Sequence, residues 1–262
     1  VNTRYQFGDG DLASRRLALL AETFRPTTER FLREAGPAGV GRAVDLGCGP
    51  GYTTASIMRV LSPQNLAGVD ASAAFLDEAR RRVPTARFIE GDVVEDLAVY
   101  QGAGLVFARY LLSHLPDGEQ AIRLWADRLG GDGVLLLEEL EAIEPVHAPF
   151  AEYLGVVEAL LADHGMPLYV GRDLAESPDP PGCERFFDRA LRFEVEASRA
   201  AQMFRMNVPN WRRRPFIESR YGTSAIDGLI ERLNGFAESS AARENPRWTL
   251  RQIGWRKRTP AG

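Results

Sequence analysis

Residues 44–54 read Val44-Asp45-Leu46-Gly47-Cys48-Gly49-Pro50-Gly51-Tyr52-Thr53-Thr54. An acidic residue closes a short apolar run, glycines follow at 47, 49 and 51, and a helix-forming segment begins directly after them. Glycine permits backbone angles that side chains forbid and lets a ligand approach the main chain, while the helix start offers unpaired N–H groups to an anion. The stretch therefore predicts a strand, a ligand-holding turn and a helix, with Asp45 placed to answer a cationic group on the ligand.

Working outward, strand-like and helix-like blocks alternate on both sides of this turn. Strands are expected at residues 42–46, 65–70, 86–90, 104–108 and 133–138, and helices at 51–61, 72–82 and 116–129. Such alternation produces a parallel sheet covered on both faces. Two further acids end strands in this series. Asp70, in Gly68-Val69-Asp70-Ala71, is placed to accept hydrogen bonds from both hydroxyls of a ribose. Asp92, in Glu90-Gly91-Asp92-Val93, is placed to accept from an adenine amino group.

These residues resemble the class I S-adenosylmethionine-dependent methyltransferases over residues 42–139, with the pattern acidic–X–Gly–X–Gly–X–Gly intact. The resemblance implies an α/β fold, a doubly wound, seven-stranded and mostly parallel Rossmann-like sheet whose last strand is antiparallel. It implies S-adenosyl-L-methionine as cofactor and S-adenosyl-L-homocysteine as its product. Carried onto this chain, the cofactor residues are Asp45, Gly47, Cys48, Gly49, Gly51, Asp70, Ala71, Asp92, Val93 and Arg109. Tyr5, in the segment before the first helix, resembles the part of many small-molecule members that folds over the methionine end.

An NAD-type loop is the rival, because it too has a glycine turn and an acid ending the second strand. Its fingerprint wants G-x-G-x-x-G, whereas Gly51 falls one position early and Asp45 sits where that fingerprint usually carries no acid. The fourth strand is followed by Arg109-Tyr110-Leu111-Leu112-Ser113-His114, the segment that in this family passes beside the sulfonium and the acceptor. His114 is the candidate general base, with a hydrogen-bonded structural histidine as the alternative. The Asn/Asp-Pro-Pro-Tyr/Phe signature of adenine and glutamine methyltransferases is absent there, which favours a small-molecule acceptor. Glu138, Glu139 and Glu141 are read as loop and helix-start charges, and no metal is expected.

The remainder of the chain frames this core. Residues 1–40 read as a helical cover of two short helices broken at Pro26, residues 41–145 as the cofactor-binding core, and residues 198–244 as a helical insertion before the last strand, all in one domain. A helix at 150–164 and strands at 190–197 and 247–256 complete it. Acceptor choice is expected to reside in the insertion, around Phe204, Met206, Trp211 and Arg212–Arg214, with a dimer contact as the alternative use of that surface.

Composition narrows the function further. The 262 residues carry a net charge of −4, without the positive field that sequence-independent nucleic-acid binding needs. Lys257 is the single lysine, so the arginine runs reflect a chain-wide bias, and Arg80-Arg81-Arg82 reads as a solvated helix end. The arginines permit an anionic acceptor, and an aromatic one fits equally. Two cysteines make no disulfide framework, and neither an export leader nor an 18-residue apolar run is seen, so a cytoplasmic setting is expected. The leading expectation is a small-molecule O-, N- or C-methyltransferase. The alternatives are a peptide- or protein-terminus methyltransferase, a protein that binds the sulfonium without transferring its methyl group, and an NAD-dependent oxidoreductase.

Overall fold

A computed structural model of the chain describes residues 10–239 and 244–258. Seven strands form one sheet in the order β3-β2-β1-β4-β5-β7-β6. They are β1 (Arg42–Leu46), β2 (Asn65–Asp70), β3 (Arg87–Glu90), β4 (Ala103–Arg109), β5 (Leu129–Glu144), β6 (Cys183–Glu194) and β7 (Arg247–Lys257). The first five pair in parallel; β7 runs antiparallel to β5, and β6 antiparallel to β7. This is the doubly wound, mostly parallel sheet that the strand–helix alternation predicts.

Alternate residues of the central strands feed opposite faces, as the two-residue period of a strand requires. Val44, Leu46, Val106 and Ala108 pack on one face with Ile122 and Trp125 of α4 (Gly118–Asp127). Ala43, Leu105 and Phe107 pack on the other with Ile57 of α2 (Tyr52–Leu61) and with Phe31 and Leu32 of α1 (Asp11–Ala35). The carboxyl ends of the first four strands and the loops that follow them carry Gly47, Asp70, Asp92 and Arg109. The strand order reverses direction between β1 and β4, the place where open α/β sheets leave a crevice for a ligand.

Several elements differ from the expectation, each for a physical reason. α1 is one continuous helix through Pro26, not two short ones. Pro26 and Glu22, whose carbonyl loses its partner, both lie on the exposed face where water can take the missing bond. The apolar stripe meanwhile stays in register, with Phe24 in one core cluster and Phe31 and Leu32 in another. β5 is far longer than its apolar centre, because its start at 129–133 is glycine-rich and its end carries acids; a register shift near Leu140 bends it. Glu138 and Glu139 are therefore not loop charges: they lie within the strand at 0% and 1% exposure. β6 also begins seven residues earlier than expected, an irregularity between Arg185 and Phe187 having broken its alternation. Its charged residues suit an edge strand.

Between β5 and β6 lie α5 (Ala148–Ala162) and α6 (Val170–Glu176), the second of which the sequence pattern did not reveal. The stretch between β6 and β7 is helical as expected: α7 (Ala197–Asn207), α8 (Pro215–Tyr221) and α9 (Thr223–Ala237). α5 and these three helices share one apolar cluster with Leu140, Ile143, Trp248 and Leu250 of the bent β5–β7 extension. Among the described residues no helix is long and apolar enough to cross a membrane.

Candidate functional site

The loop between β1 and α2 is held from below. Asp45 is 1% exposed, and its Oδ2 accepts from the Thr53 and Thr54 hydroxyls at 2.6 and 2.5 Å. Its Oδ1 is buried with no hydrogen-bond partner. Burial pushes its carboxyl up to about 6, against the pull of the two threonines and of Arg109. Gly51 has φ 81°, and a Cβ there would lie 2.9 Å from the Ala79 Cβ on α3 (Ala73–Arg82), so glycine serves helix packing at this position. Arg82 completes the clamp, stacking over Tyr52 at 3.7 Å and donating to the Pro50 carbonyl. Of the 80–82 run, Arg82 is thus part of the loop support and not merely a solvated charge.

Above the loop opens a cavity of about 510 Å³. Gly47, Cys48, Gly49, Asp70, Ala71, Asp92, Val93, Arg109 and His114 all line it. Asp45 and Gly51 do not: they sit beneath the loop and act on its shape. Tyr5 lies outside the described residues. Gly49, at φ 51°, has nothing within 4 Å of the point where a Cβ would stand, so its main chain faces open space that a side chain would fill. The Asp70 carboxylate accepts from the Gly49 N–H at 2.8 Å and from the Ser72 N–H at 2.9 Å. Both bonds hold this carboxylate in the cavity wall, where ribose hydroxyls can approach it. Asp92 accepts from Val94 N–H at 2.8 Å in a tight turn that presents it at the rim. An open glycine cradle flanked by two acceptor carboxylates fits a nucleoside carrying an amino-acid tail.

The segment after β4 forms the middle of the cavity wall. Tyr110 adopts φ 54°, a left-handed conformation costly for an aromatic residue. The turn is tied down by Glu139, whose Oε1 accepts from the Leu111 and Leu112 N–H groups at 2.8 and 2.9 Å. Burial raises the Glu139 carboxyl to about 7 in spite of those two bonds. Glu138 accepts from Thr28 at 2.6 Å and Gln252 at 2.5 Å; burial raises its pKa, and the Arg109 charge opposes that rise. Arg109 in turn donates to Thr28 at 3.1 Å. Glu141 pairs with Arg251 at 2.6 Å.

His114 is only half-buried, yet its surface opens on the cavity, and burial followed by the Arg16 charge lowers its pKa to about 4. The imidazole is therefore neutral at pH 7 and a weak base there. His147 and His164 bond main-chain carbonyls away from this wall.

The far end of the cavity is built by α1, α5, α7 and the bent ends of β5 and β7. Arg16, Tyr153, Met203 and Asn207 line it, none of which sequence reasoning singled out. The available signal was helical spacing: Tyr153, Leu154 and Val157 form one stripe of α5, and Met203, Phe204 and Asn207 one stripe of α7. Of the residues expected to choose the acceptor, Phe204 lines the cavity. Trp211 is buried in the helix cluster, Arg212 pairs with Asp227, and Met206, Arg213 and Arg214 are off the wall.

Comparison with known proteins agrees with this geometry. Residues 43–133 match the family described as a methyltransferase domain. Trans-aconitate 2-methyltransferase of Variovorax paradoxus (strain S110) is 36% identical over 150 residues, covering 53% of this chain and 57% of that protein. The chain thus spans little more than half the length of that relative. A solved structure from Bacillus halodurans C-125, described as a candidate methyltransferase, superposes with a TM-score of 0.63 at 16% identity, covering 89% of this chain and 100% of that one. Coclaurine N-methyltransferase, solved with N-methylheliamine and S-adenosylhomocysteine, gives a TM-score of 0.56 at 16% identity, covering 88% of this chain and 72% of that one. At such identity the two structures establish the fold. Residues 43–133, which hold the glycine loop and the strand-ending acids within the 3-2-1-4-5-7-6 sheet, are thus similar to a methyltransferase domain.

Proposed function

We propose that the protein transfers a methyl group from S-adenosylmethionine to a small-molecule acceptor. The observation that carries this reading is one continuous cavity, with the glycine loop, Asp70 and Asp92 at one end and the chamber lined by α1, α5 and α7 at the other. In this reading the main chain at Gly47 to Gly49 holds the amino-acid tail, Asp70 the ribose and Asp92 the adenine. Asp45 keeps the loop in shape and holds a buried acceptor oxygen beneath it. The cofactor, when bound, supplies an electrophilic methyl group on a cationic sulfur that departs as a neutral thioether.

The chain's own residues align and dry the reaction. Such a displacement gains most of its rate from holding the acceptor in line with the methyl carbon and excluding water. The Tyr110–His114 turn, fixed by Glu139, forms the wall between the two ends. His114, neutral at pH 7, holds or orients a polar group of the acceptor; deprotonation by it requires an acceptor far more acidic than an ordinary alcohol or amine. Residues 10–40 and 198–239 act with the core as one unit that closes the chamber.

Trans-aconitate, the acceptor in that relative's name, is a small polyacid and is included in the assay. Incubation of the chain with methyl-labelled S-adenosylmethionine and a panel of small organic acids, phenols and amines tests the proposal. Labelled product from a small acceptor is expected. Cofactor binding without transfer to any panel member would favour a protein that holds the sulfonium for another purpose.

A further inference from the structure

Apolar side chains dominate the far end of the cavity. Leu140, Ile143 and Val157 line it, and Tyr153, Phe204 and Trp248 stand in a row with successive ring centroids 4.3 and 6.1 Å apart. Into this surface is set one uncharged polar pair, Tyr153 on α5 and Asn207 on α7. The Asn207 amide N–H donates to the Tyr153 hydroxyl oxygen at 2.9 Å. That bond leaves two functions over. Asn207 Oδ1, on a residue 4% exposed, is buried without a hydrogen-bond partner among the described residues. A hydroxyl that accepts one bond still has its proton to donate, and burial, which pushes the Tyr153 hydroxyl up to about 12, keeps that proton in place at pH 7. The pair therefore offers one acceptor and one donor close together. Among the described residues two arginines line the cavity, and both are already engaged: Arg109 with Thr28 and Glu138, and Arg16 within the protein as well.

We propose that this end of the cavity takes a neutral, largely apolar alcohol or phenol whose hydroxyl donates to Asn207 Oδ1 and accepts from the Tyr153 hydroxyl. A hydroxyl is the smallest neutral group that does both. A carboxylate has no proton for the amide oxygen, and it brings a charge into an apolar wall whose arginines are taken. An ammonium group has the proton, but the Arg16 charge is felt at both Tyr153 and His114 and opposes a second cation there. The apolar body of the ligand exchanges water for the aliphatic and aromatic surfaces. Tyr153 and Asn207 both lie outside residues 43–133, so the pair is no part of the matched methyltransferase domain. The inference rests on the methyltransferase reading for what is done to the ligand, but not for its binding.

The test is calorimetric titration of the full chain with 4-ethylphenol, 4-ethylanisole, 4-ethylbenzoate and 4-ethylbenzylamine, each with and without S-adenosylhomocysteine. The four share one apolar body and differ in whether the polar group donates and what charge it carries. 4-Ethylphenol is expected to bind about tenfold tighter than each of the others. Asn207→Leu should weaken 4-ethylphenol about tenfold while leaving 4-ethylanisole within about twofold, which also shows that the chamber is intact. Tyr153→Phe, the second variant, should weaken 4-ethylphenol about threefold or more. No saturable binding of 4-ethylphenol, or binding of any of the other three as tight as it, would overturn the proposal. So would an Asn207→Leu variant that keeps the full preference for 4-ethylphenol over 4-ethylanisole. The expected order of the four ligands in a chain that binds no S-adenosylhomocysteine would support this inference while defeating the methyltransferase reading.

Discussion

The main-chain N–H of Gly49 donates to the Asp70 carboxylate at 2.8 Å, so the acid that ends β2 braces the loop that follows β1. One side chain thus shapes the glycine cradle and faces the cavity. Asp70→Ala should lower affinity for S-adenosylhomocysteine by tenfold to a hundredfold, from about 1.5–3 kcal/mol for hydrogen bonds to a charged group. Calorimetry reads this directly, and an unchanged affinity would remove Asp70 from the site.

Gly49 and Gly51 are two residues apart and should fail differently. Gly51→Ala strains a left-handed residue and drives its Cβ into Ala79, and it should cost about 2–4 kcal/mol in urea unfolding. Gly49→Ala meets no neighbour and should cost only about 1 kcal/mol, yet it places a methyl group in the cradle and should abolish cofactor binding. Equal effects of the two on stability would contradict the assigned roles.

Glu139 makes stability depend on pH. Its folded pKa, about 7, lies above the ordinary value of 4.5 for a free carboxyl, so folding takes up a proton between those values. Its contribution is greatest below about 4.5 and is lost as pH rises toward 7. Glu139→Gln keeps an acceptor oxygen for the Leu111 and Leu112 N–H groups and cannot ionise. It should gain up to about 3 kcal/mol over the parent at pH 8 and close to nothing at pH 4. Denaturation curves at the two pH values check this; a gain of the same size at both would sink the account.

Arg109 offsets the burial of Glu138, so Arg109→Gln should cost about 2 kcal/mol at pH 8, where the unfolded carboxyl is ionised and the buried one has lost its opposing charge. The cost should shrink toward pH 4 as the carboxyl takes a proton in both states. A penalty independent of pH would mean that Arg109 acts through packing alone.

The cofactor end of the site was legible because its chemistry is local. Gly47, Gly49, Asp70 and Asp92 each sit at a strand end, where the required residue type and its spacing are visible along the chain. The far chamber was not legible in the same way. Arg16, Tyr153 and Asn207 come from three helices that are far apart in the sequence, and only folding brings them to one end of the cavity. Glu138 and Glu139 show the opposite problem: two consecutive acids read as exposed, and the partners that make their burial tolerable, Thr28, Gln252 and the Leu111–Leu112 turn, are distant in sequence. Pro26 misled for a related reason, since whether a proline breaks a helix depends on which face water reaches.

The most direct test of the central claim is calorimetric titration of the full chain with S-adenosylhomocysteine, run beside an identical titration with NAD. One molecule of S-adenosylhomocysteine bound per chain and no heat from NAD is the predicted result. Saturable NAD binding, or no S-adenosylhomocysteine binding by folded protein with the Asp45 to Gly51 loop intact, would contradict it.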